Sequence, residues 1–351
     1  MTPILLISDQ TLPNLLFLKQ FGPFERYVFI TTDKMEKSGQ GRWTAQTAGI
    51  PEASILRRVV DPEQPGSTVQ ALDSLGLDAA EPVQAYITGG TKMMSLGAHI
   101  WASRRPAAQI LYLPIGGKQF LRIFPDAAEI PLTAQVSLEE YLAVHGVQVL
   151  RKGNWRAAYA EASAIFRHLS GEQPDPDIRD RLLWARKQGA VAPEDKEMKA
   201  FYAGPWLEVW LAGRIQEVLH IPLPNMSYNV SLNKSGPGGA YNQEYDVIFV
   251  QHNRLYIGEC KHFLGAQPKT IGDIRKELHK LADANNLFGL SARPFFAIIQ
   301  QDAAAQVQPF IDGNREATWD EMASILRIRK HPMEMAVLRD PEALRTFFQD
   351  L

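Results

Sequence analysis

At 351 residues the chain is too long for one ordinary domain, and two are expected. With 45% hydrophobic and 22% charged residues it reads as globular, which excludes extended disorder. A net charge of −2 excludes a global electrostatic pull on nucleic acid or membrane, so a nucleic-acid partner needs a local patch or a metal.

The first 135 or so residues alternate short apolar runs with helix-like or turn-rich segments. Strands are predicted at PILLIS, RYVFIT, VQAYIT and QILYLP, with LRIF as a later one. The first, third and fourth end in small polar loops: Ser8-Asp9-Gln10-Thr11, Thr88-Gly89-Gly90-Thr91-Lys92 and Ile115-Gly116-Gly117-Lys118. Such strands suggest a parallel sheet covered by helices on both faces, a Rossmann-like α/β domain whose ligand crevice lies at the carboxyl ends of the strands. All three loops would sit there. TGGTKMMSLG also opens a helix, where paired glycines admit close approach and free N–H groups favour anions. It matches neither GxxxxGK[ST] nor GxGxxG, which disfavours an ATPase or a dehydrogenase.

From VSLEEYLAVHG to about residue 195 the pattern is helical, with NWRAAYAEASAIFRHL and DIRDRLLWARKQG separated by the breaker GEQPDPD. This segment reads as a helical linker, giving expected boundaries at 1–140, 141–195 and 196–351. The last part opens with the helix GPWLEVWLAGRIQEVL, its Pro suited to the first turn. A strand (MSYNVSL), a glycine-rich loop (NKSGPGGAYN), a hairpin (YDVIFVQHNRLYIGECKHF), a helix (GDIRKELHKLADANN) and a strand (PFFAIIQ) follow. Two helices, TWDEMASILRIR and PEALRTFFQDL, close the chain. The class is α/β again, with an antiparallel centre. The single cysteine, Cys260, excludes intrachain disulfides and points to a reducing compartment. The opening ILLIS is too short for a signal peptide and no window reaches membrane-spanning length; a cytoplasmic protein is expected.

The hairpin carries the chemistry. If His252-Asn253 is a two-residue turn with Gln251 opposite Arg254, then Asp246 stands opposite Glu259, Cα atoms about 4.5–5.5 Å apart, and Glu244 opposite Lys261. Lys261 shares the acids' face while Cys260 points to the other. Converging carboxylates need a cation between them, and hard oxygens suit Mg²⁺ or Mn²⁺ with waters and substrate phosphate. Lys261 could position or deprotonate a water or neutralise a phosphate. Glu208 lies in line with Leu211, Ala212, Ile215 and Leu219 on its helix, a core-facing position where a carboxylate wants a partner. Read without context, the same acids and lysine would be a cross-strand salt bridge on a solvated face.

Asp246 followed by Glu259-x-Lys261 on neighbouring strands resembles the PD-(D/E)XK nuclease superfamily, in which an acid from the preceding helix often joins the metal site; Glu208 matches that position. The resemblance implies a restriction-endonuclease-like fold, with Glu208, Asp246, Glu259 and Lys261 catalytic and the metal held by Glu208, Asp246, Glu259 and the Cys260 backbone carbonyl. The N-terminal part, with SDQTLPNLL and TGGTK-M, resembles the CARF domain of CRISPR ancillary proteins. The whole chain is similar to single-CARF nucleases activated by cyclic tetra-adenylate. That resemblance implies a homodimer, an activator held by Ser8, Asp9, Gln10, Thr11, Gly89, Gly90, Thr91, Lys92, Met93, Gly116 and Gly117, and cleavage of DNA and/or RNA with little sequence selectivity in type III CRISPR antiviral defence. Lys269, Arg275, Lys276 and Lys280 are candidate backbone-phosphate contacts. Two rivals stand beside this reading. One is a metal-independent HEPN-type ribonuclease, from the string Arg214 to His220. The other is a ligand-sensing regulator that binds nucleic acid without cutting it.

Overall fold

A computed structural model describes residues 1–187, 192–236, 239–264, 274–301, 326, 328 and 332–349. The chain divides into two compact units. The first comprises Met1–Gln148, Asn233–Tyr241 and Phe288–Ser291; the second comprises Val149–Leu232, Asn242–Leu287 and Ala292–Leu351.

In the first unit the chain runs β1 (Thr2–Leu6), α1 (Leu12–Phe21), β2 (Tyr27–Thr31), α2 (Asp33–Ser38), α3 (Gln40–Thr47), β3 (Ile55–Val59), α4 (Pro65–Asp73), β4 (Val83–Tyr86), α5 (Lys92–Ala102), β5 (Ala108–Tyr112), β6 (Gln119–Phe124), β7 (Ala128–Pro131) and α6 (Leu138–Val144). The sheet order is β3-β2-β1-β4-β5-β6-β7. The first five strands are parallel; β6 and β7 extend the sheet antiparallel. Every residue of β1, β2 and β4 is buried, as expected of strands covered on both faces. The chain builds outward from β1 to β3, then returns to lay β4 on the other side of β1. The strand order therefore reverses between β1 and β4, where α/β sheets open a ligand crevice. The predicted strands are present, and three were missed: β3, β7 and, in the second sheet, β8. α6 starts on a reciprocal capping box between Ser137 and Glu140.

The second unit contains β8 (Gln148–Arg151), α7 (Tyr159–Leu169), α8 (Pro176–Arg186), α9 (Lys196–Ala203), α10 (Pro205–Leu219), β9 (Met226–Gly236), β10 (Gly239–Gln251), β11 (Arg254–Leu264), α11 (Arg275–Phe288), β12 (Ala292–Gln301), α12 (Met335–Arg339) and α13 (Pro341–Gln349). The sheet order is β12-β11-β10-β9-β8, with β10–β11 antiparallel and β11–β12 parallel. β9 and β10 run into the glycine-rich stretch that reads as a loop in the sequence, as far as Gly236 and from Gly239.

α10 is the buried axis: Trp206, Leu207, Val209, Trp210, Leu211, Ala212 and Ile215 are all in the core. The helical segment before it is packed into that core. Phe166 of α7 stacks on Trp210 at 3.6 Å between ring centroids, and Ile178 and Leu182 of α8 join the same cluster. From the other side α13 delivers Phe348, edge-on to Phe249, Tyr256 and Phe295. Most of the helix expected at TWDEMASILRIR lies outside the described residues, as does Lys269. Among the described residues no helix is long and apolar enough to cross a membrane.

Candidate functional site

Two sites emerge, one in each unit. In the first, the loops after β1, β4 and β5 leave neighbouring parallel strands at one sheet edge. A Cβ on Gly89 would stand 2.1 Å from the Leu6 carbonyl oxygen, so the β4 loop crosses the end of β1 where only glycine fits. Gly90 follows at φ +73°, and Thr91 caps α5, its hydroxyl accepting from Met94 N–H at 3.2 Å. The N–H of Leu113 donates to Thr88 Oγ1 at 2.6 Å and ties the third loop to the second. In the first loop, Gln10 N–H donates to Ser8 Oγ at 3.3 Å, and the exposed Asp9 carboxylate meets Lys34 at 3.1 Å and Gln40 at 3.4 Å. Lys92, Met93 and Gly116 are exposed, and Ser8, Gln10, Gly90, Thr91 and Gly117 half-buried. Thr11 and Gly89 are buried and contribute loop shape rather than surface. Lys234, which the sequence reading did not single out, is half-buried over the Trp43 ring at 4.6 Å. Burial lowers its pKa against the opposing pull of Asp9.

In the second unit the hairpin register is as expected. Gln251 pairs with Arg254 and the ladder runs to Val247↔Gly258. The turn is made by His252 and Asn253, both left-handed at φ +50° and +60°, the geometry of a type I′ hairpin. Asp246 and Glu259 are the next positions. There the Asp246 side chain takes over from the ladder: Cys260 N–H donates to Asp246 Oδ2 at 2.8 Å. Cys260 is buried, as expected, but its thiol does not turn wholly away, because Sγ also lies 3.6 Å from Asp246 Oδ2. Gly258 has no side chain because the Phe295 ring lies there, 2.2 Å from where a Cβ would be.

The pairing of Glu244 with Lys261 is not what the structure forms. Glu244 meets Arg151, and Lys261 meets Glu277 of α11 at 3.6 Å. One turn along α11, Lys280 Nζ sits 2.6 Å from Glu259 Oε1, and Glu259 is 1% exposed. Sequence reasoning offered Lys280 only as a phosphate contact and missed Glu277. The available signal was their three-residue spacing on a helix whose Leu278, Leu281 and Ala284 are buried, which puts both charges at the margin of the packed face.

The four predicted residues act on one another electrically. Burial, then the charges of Asp246 and Glu259, pushes the Glu208 carboxyl up to about 8. Burial and Asp246 push Glu259 up to about 8, and burial raises Asp246 despite its Cys260 N–H. Lys261 goes the other way: burial would lower it, but Asp246, Glu277 and Glu259 outweigh burial and hold it above its usual value. Its ammonium is therefore favoured beside the acids and suited to neutralising an anion. Among the described residues no three acidic, His or Cys side chains stand ready-made as a metal cage. The donor chemistry nonetheless suits a hard divalent cation: three buried carboxylates that feel one another's charge and resist ionisation chiefly because they are buried. His262 packs edge-on to Trp206 at 5.1 Å. The other string of interest, Arg214 to His220, is spent on structure. Arg214 reaches the Arg339 carbonyl at 3.4 Å, and His220 ends α10 in a left-handed conformation.

Residues 2–141 match the family model of the Card1 CARF domain. No curated protein matches the sequence. Among solved structures the chain is similar to protein VC1899 from Vibrio cholerae, with TM-score 0.71 and 14% identity over 99% of this chain and 97% of that one. It is also similar to Can2 from Sulfobacillus thermosulfidooxidans in complex with cyclic tetra-adenylate, with TM-score 0.70 and 20% identity over 98% of each chain. A type III CRISPR defence DNA nuclease activated by cyclic oligoadenylate matches with TM-score 0.51 and 18% identity, over 93% of this chain and 51% of that chain. At these identities the likeness is one of fold: a mixed α/β chain with a Rossmann-like sheet first and a second sheet after it.

Proposed function

We propose that this protein is a metal-dependent nuclease of type III CRISPR defence, switched on by a cyclic oligoadenylate such as cyclic tetra-adenylate. The observation that carries the reading is the electrostatic cluster formed by the β10–β11 hairpin and Glu208 of α10. Glu208, Asp246 and Glu259 resist ionisation while Lys261 stays charged beside them. Lys280 pairs directly only with Glu259, so three buried acids held near one another leave more negative than positive charge, an environment that favours a bound cation. The match of residues 2–141 to the Card1 CARF domain, and the neighbours described as bound to or activated by cyclic oligoadenylate, support the activator.

In this reading Asp246, Glu259 and Glu208 hold Mg²⁺ or Mn²⁺. The Cys260 carbonyl joins them, since it leaves the strand on the side from which its own N–H reaches Asp246. A divalent ion there supplies a low-pKa water and charge for a phosphoryl oxygen. Lys261 sets its ammonium against the developing phosphate charge. Ser8 to Gln10, Gly90 to Met93 and Gly116-Gly117 receive the activator, with the buried Thr11 and Gly89 shaping their loops and the α5 N-terminus facing its phosphates. A two-fold symmetric ring suits an isologous homodimer, each protomer offering the same loops. Its binding favours the cutting-competent state only by differential affinity.

The test is incubation of plasmid DNA and single-stranded RNA with the protein, with and without cyclic tetra-adenylate and Mn²⁺. Cleavage is expected only with both, and EDTA should stop it. Equal cleavage by a Glu259→Ala, Lys261→Ala double variant would sink the assignment.

A further inference from the structure

The cation site described above already has a cation beside it, one supplied by the chain. Lys280 Nζ lies 2.6 Å from Glu259 Oε1, on a carboxylate that is 1% exposed. The same ammonium stands 5.2 Å from the centroid of the buried Tyr245 ring, an attraction that holds a cation without consuming a carboxylate oxygen. Tyr245 precedes Asp246, so the ring and the carboxylates belong to one stretch of β10 and β11. Lys280 is thus held from two sides. One side is the carboxylate that the proposed function gives to a divalent ion; the other is an aromatic face to which the ammonium can pivot.

Resting on that proposed function, we propose that Lys280 is a built-in counter-ion of the metal site. It neutralises Glu259 while no divalent ion is bound and must leave Glu259 for one to bind. A buried ion pair broken on ligation is subtracted from the metal's affinity. Lys280 therefore weakens intrinsic metal binding and keeps the buried acid paired in the resting protein. It is a positioning residue: it acts through Glu259 and not on the substrate. Lys261 differs, since its partner is Glu277 on α11 and its ammonium stays beside the acids.

The experiment uses the full chain and Mn²⁺ alone, with binding followed by loss of the free-ion electron paramagnetic resonance signal at pH 8. Lys280→Gln should bind Mn²⁺ about tenfold tighter than the unaltered protein. Lys280→Arg, which keeps the charge, should bind like the unaltered protein, and Glu259→Gln should lose binding. Unchanged or weaker affinity in Lys280→Gln, with binding lost in Glu259→Gln, overturns the counter-ion while leaving the metal nuclease standing. Unaltered affinity in Glu259→Gln removes Glu259 as a ligand and takes both readings down. A second measurement needs no variant. Mn²⁺ should raise the rate at which the Lys280 amine of the unaltered protein is acetylated, read by peptide mass spectrometry. An unchanged or lower rate overturns the displacement.

Discussion

Replacing Glu208 by Gln removes one charge from the acid cluster and keeps its shape, so the cluster's cost to the fold becomes measurable. In the unfolded chain this carboxyl ionises near 4.5; in the folded protein burial and its acidic neighbours lift it to about 8. Between those values the folded state binds more protons than the unfolded one, so stability falls as pH rises from 4.5 through 8 and levels off above. At about 1.4 kcal/mol per tenfold in proton affinity the full effect is bounded at about 5 kcal/mol. Because Asp246 and Glu259 share the titration, on the order of 2–3 kcal/mol belongs to Glu208. Without metal, Glu208→Gln should therefore raise Tm at pH 8.5 by about 3–4 °C. Its loss of Tm between pH 5 and 8.5 should be shallower than that of the unaltered protein, in calorimetric scans with EDTA. Added Mn²⁺ should reverse the order, stabilising the unaltered protein more than the variant. A variant less stable at pH 8.5, or one with the same pH slope, would refute the reasoning.

Gly89→Ala places a methyl 2.1 Å from the Leu6 carbonyl oxygen and should cost about 2–3 kcal/mol, with loss of cyclic tetra-adenylate binding by calorimetry. Phe166→Ala empties the stack on Trp210 and should cost about 3–5 kcal/mol in urea unfolding, which an exposed linker helix would not. His252→Gly, at a left-handed and exposed turn position, should be neutral or stabilise by up to about 1 kcal/mol, with nuclease activity unchanged.

The legible parts of the molecule are those where one physical signal dominates. The hairpin register followed from a two-residue turn between alternating strands, and the central strands β1, β2, β4 and β5 from their apolar runs. The three missed strands share a cause. β3 and β7 are the edges of the first sheet and β8 is an edge of the second. An edge strand buries too little for apolar patterning to mark it: β3 carries Arg57 and Arg58, and every residue of β8 is exposed. At the candidate sites, residues marked by a motif or a core-facing position, Glu208 included, were placed; Lys280 and Glu277, and Lys234 in the first unit, which arrive by packing with no pattern of their own, were not recognised in place. An isolated lysine on a helix is no signal until the fold shows which carboxylate it meets.

The division of the chain has a consequence for how it can be taken apart. The backbone passes between the two units after residues 148, 232, 241, 287 and 291, where most two-domain proteins rely on a single linker. Two of those passages interrupt β9 and β10 in mid-strand, and a third falls one residue before the end of α11. No single cut therefore releases either unit whole. A fragment ending at 148 lacks Asn233–Tyr241 and Phe288–Ser291, and a transplanted second half carries pieces of the first with it. Recombination that shuffles one unit onto another chain by a single join has no clean seam here. The two halves are expected to be inherited, and to melt, as one.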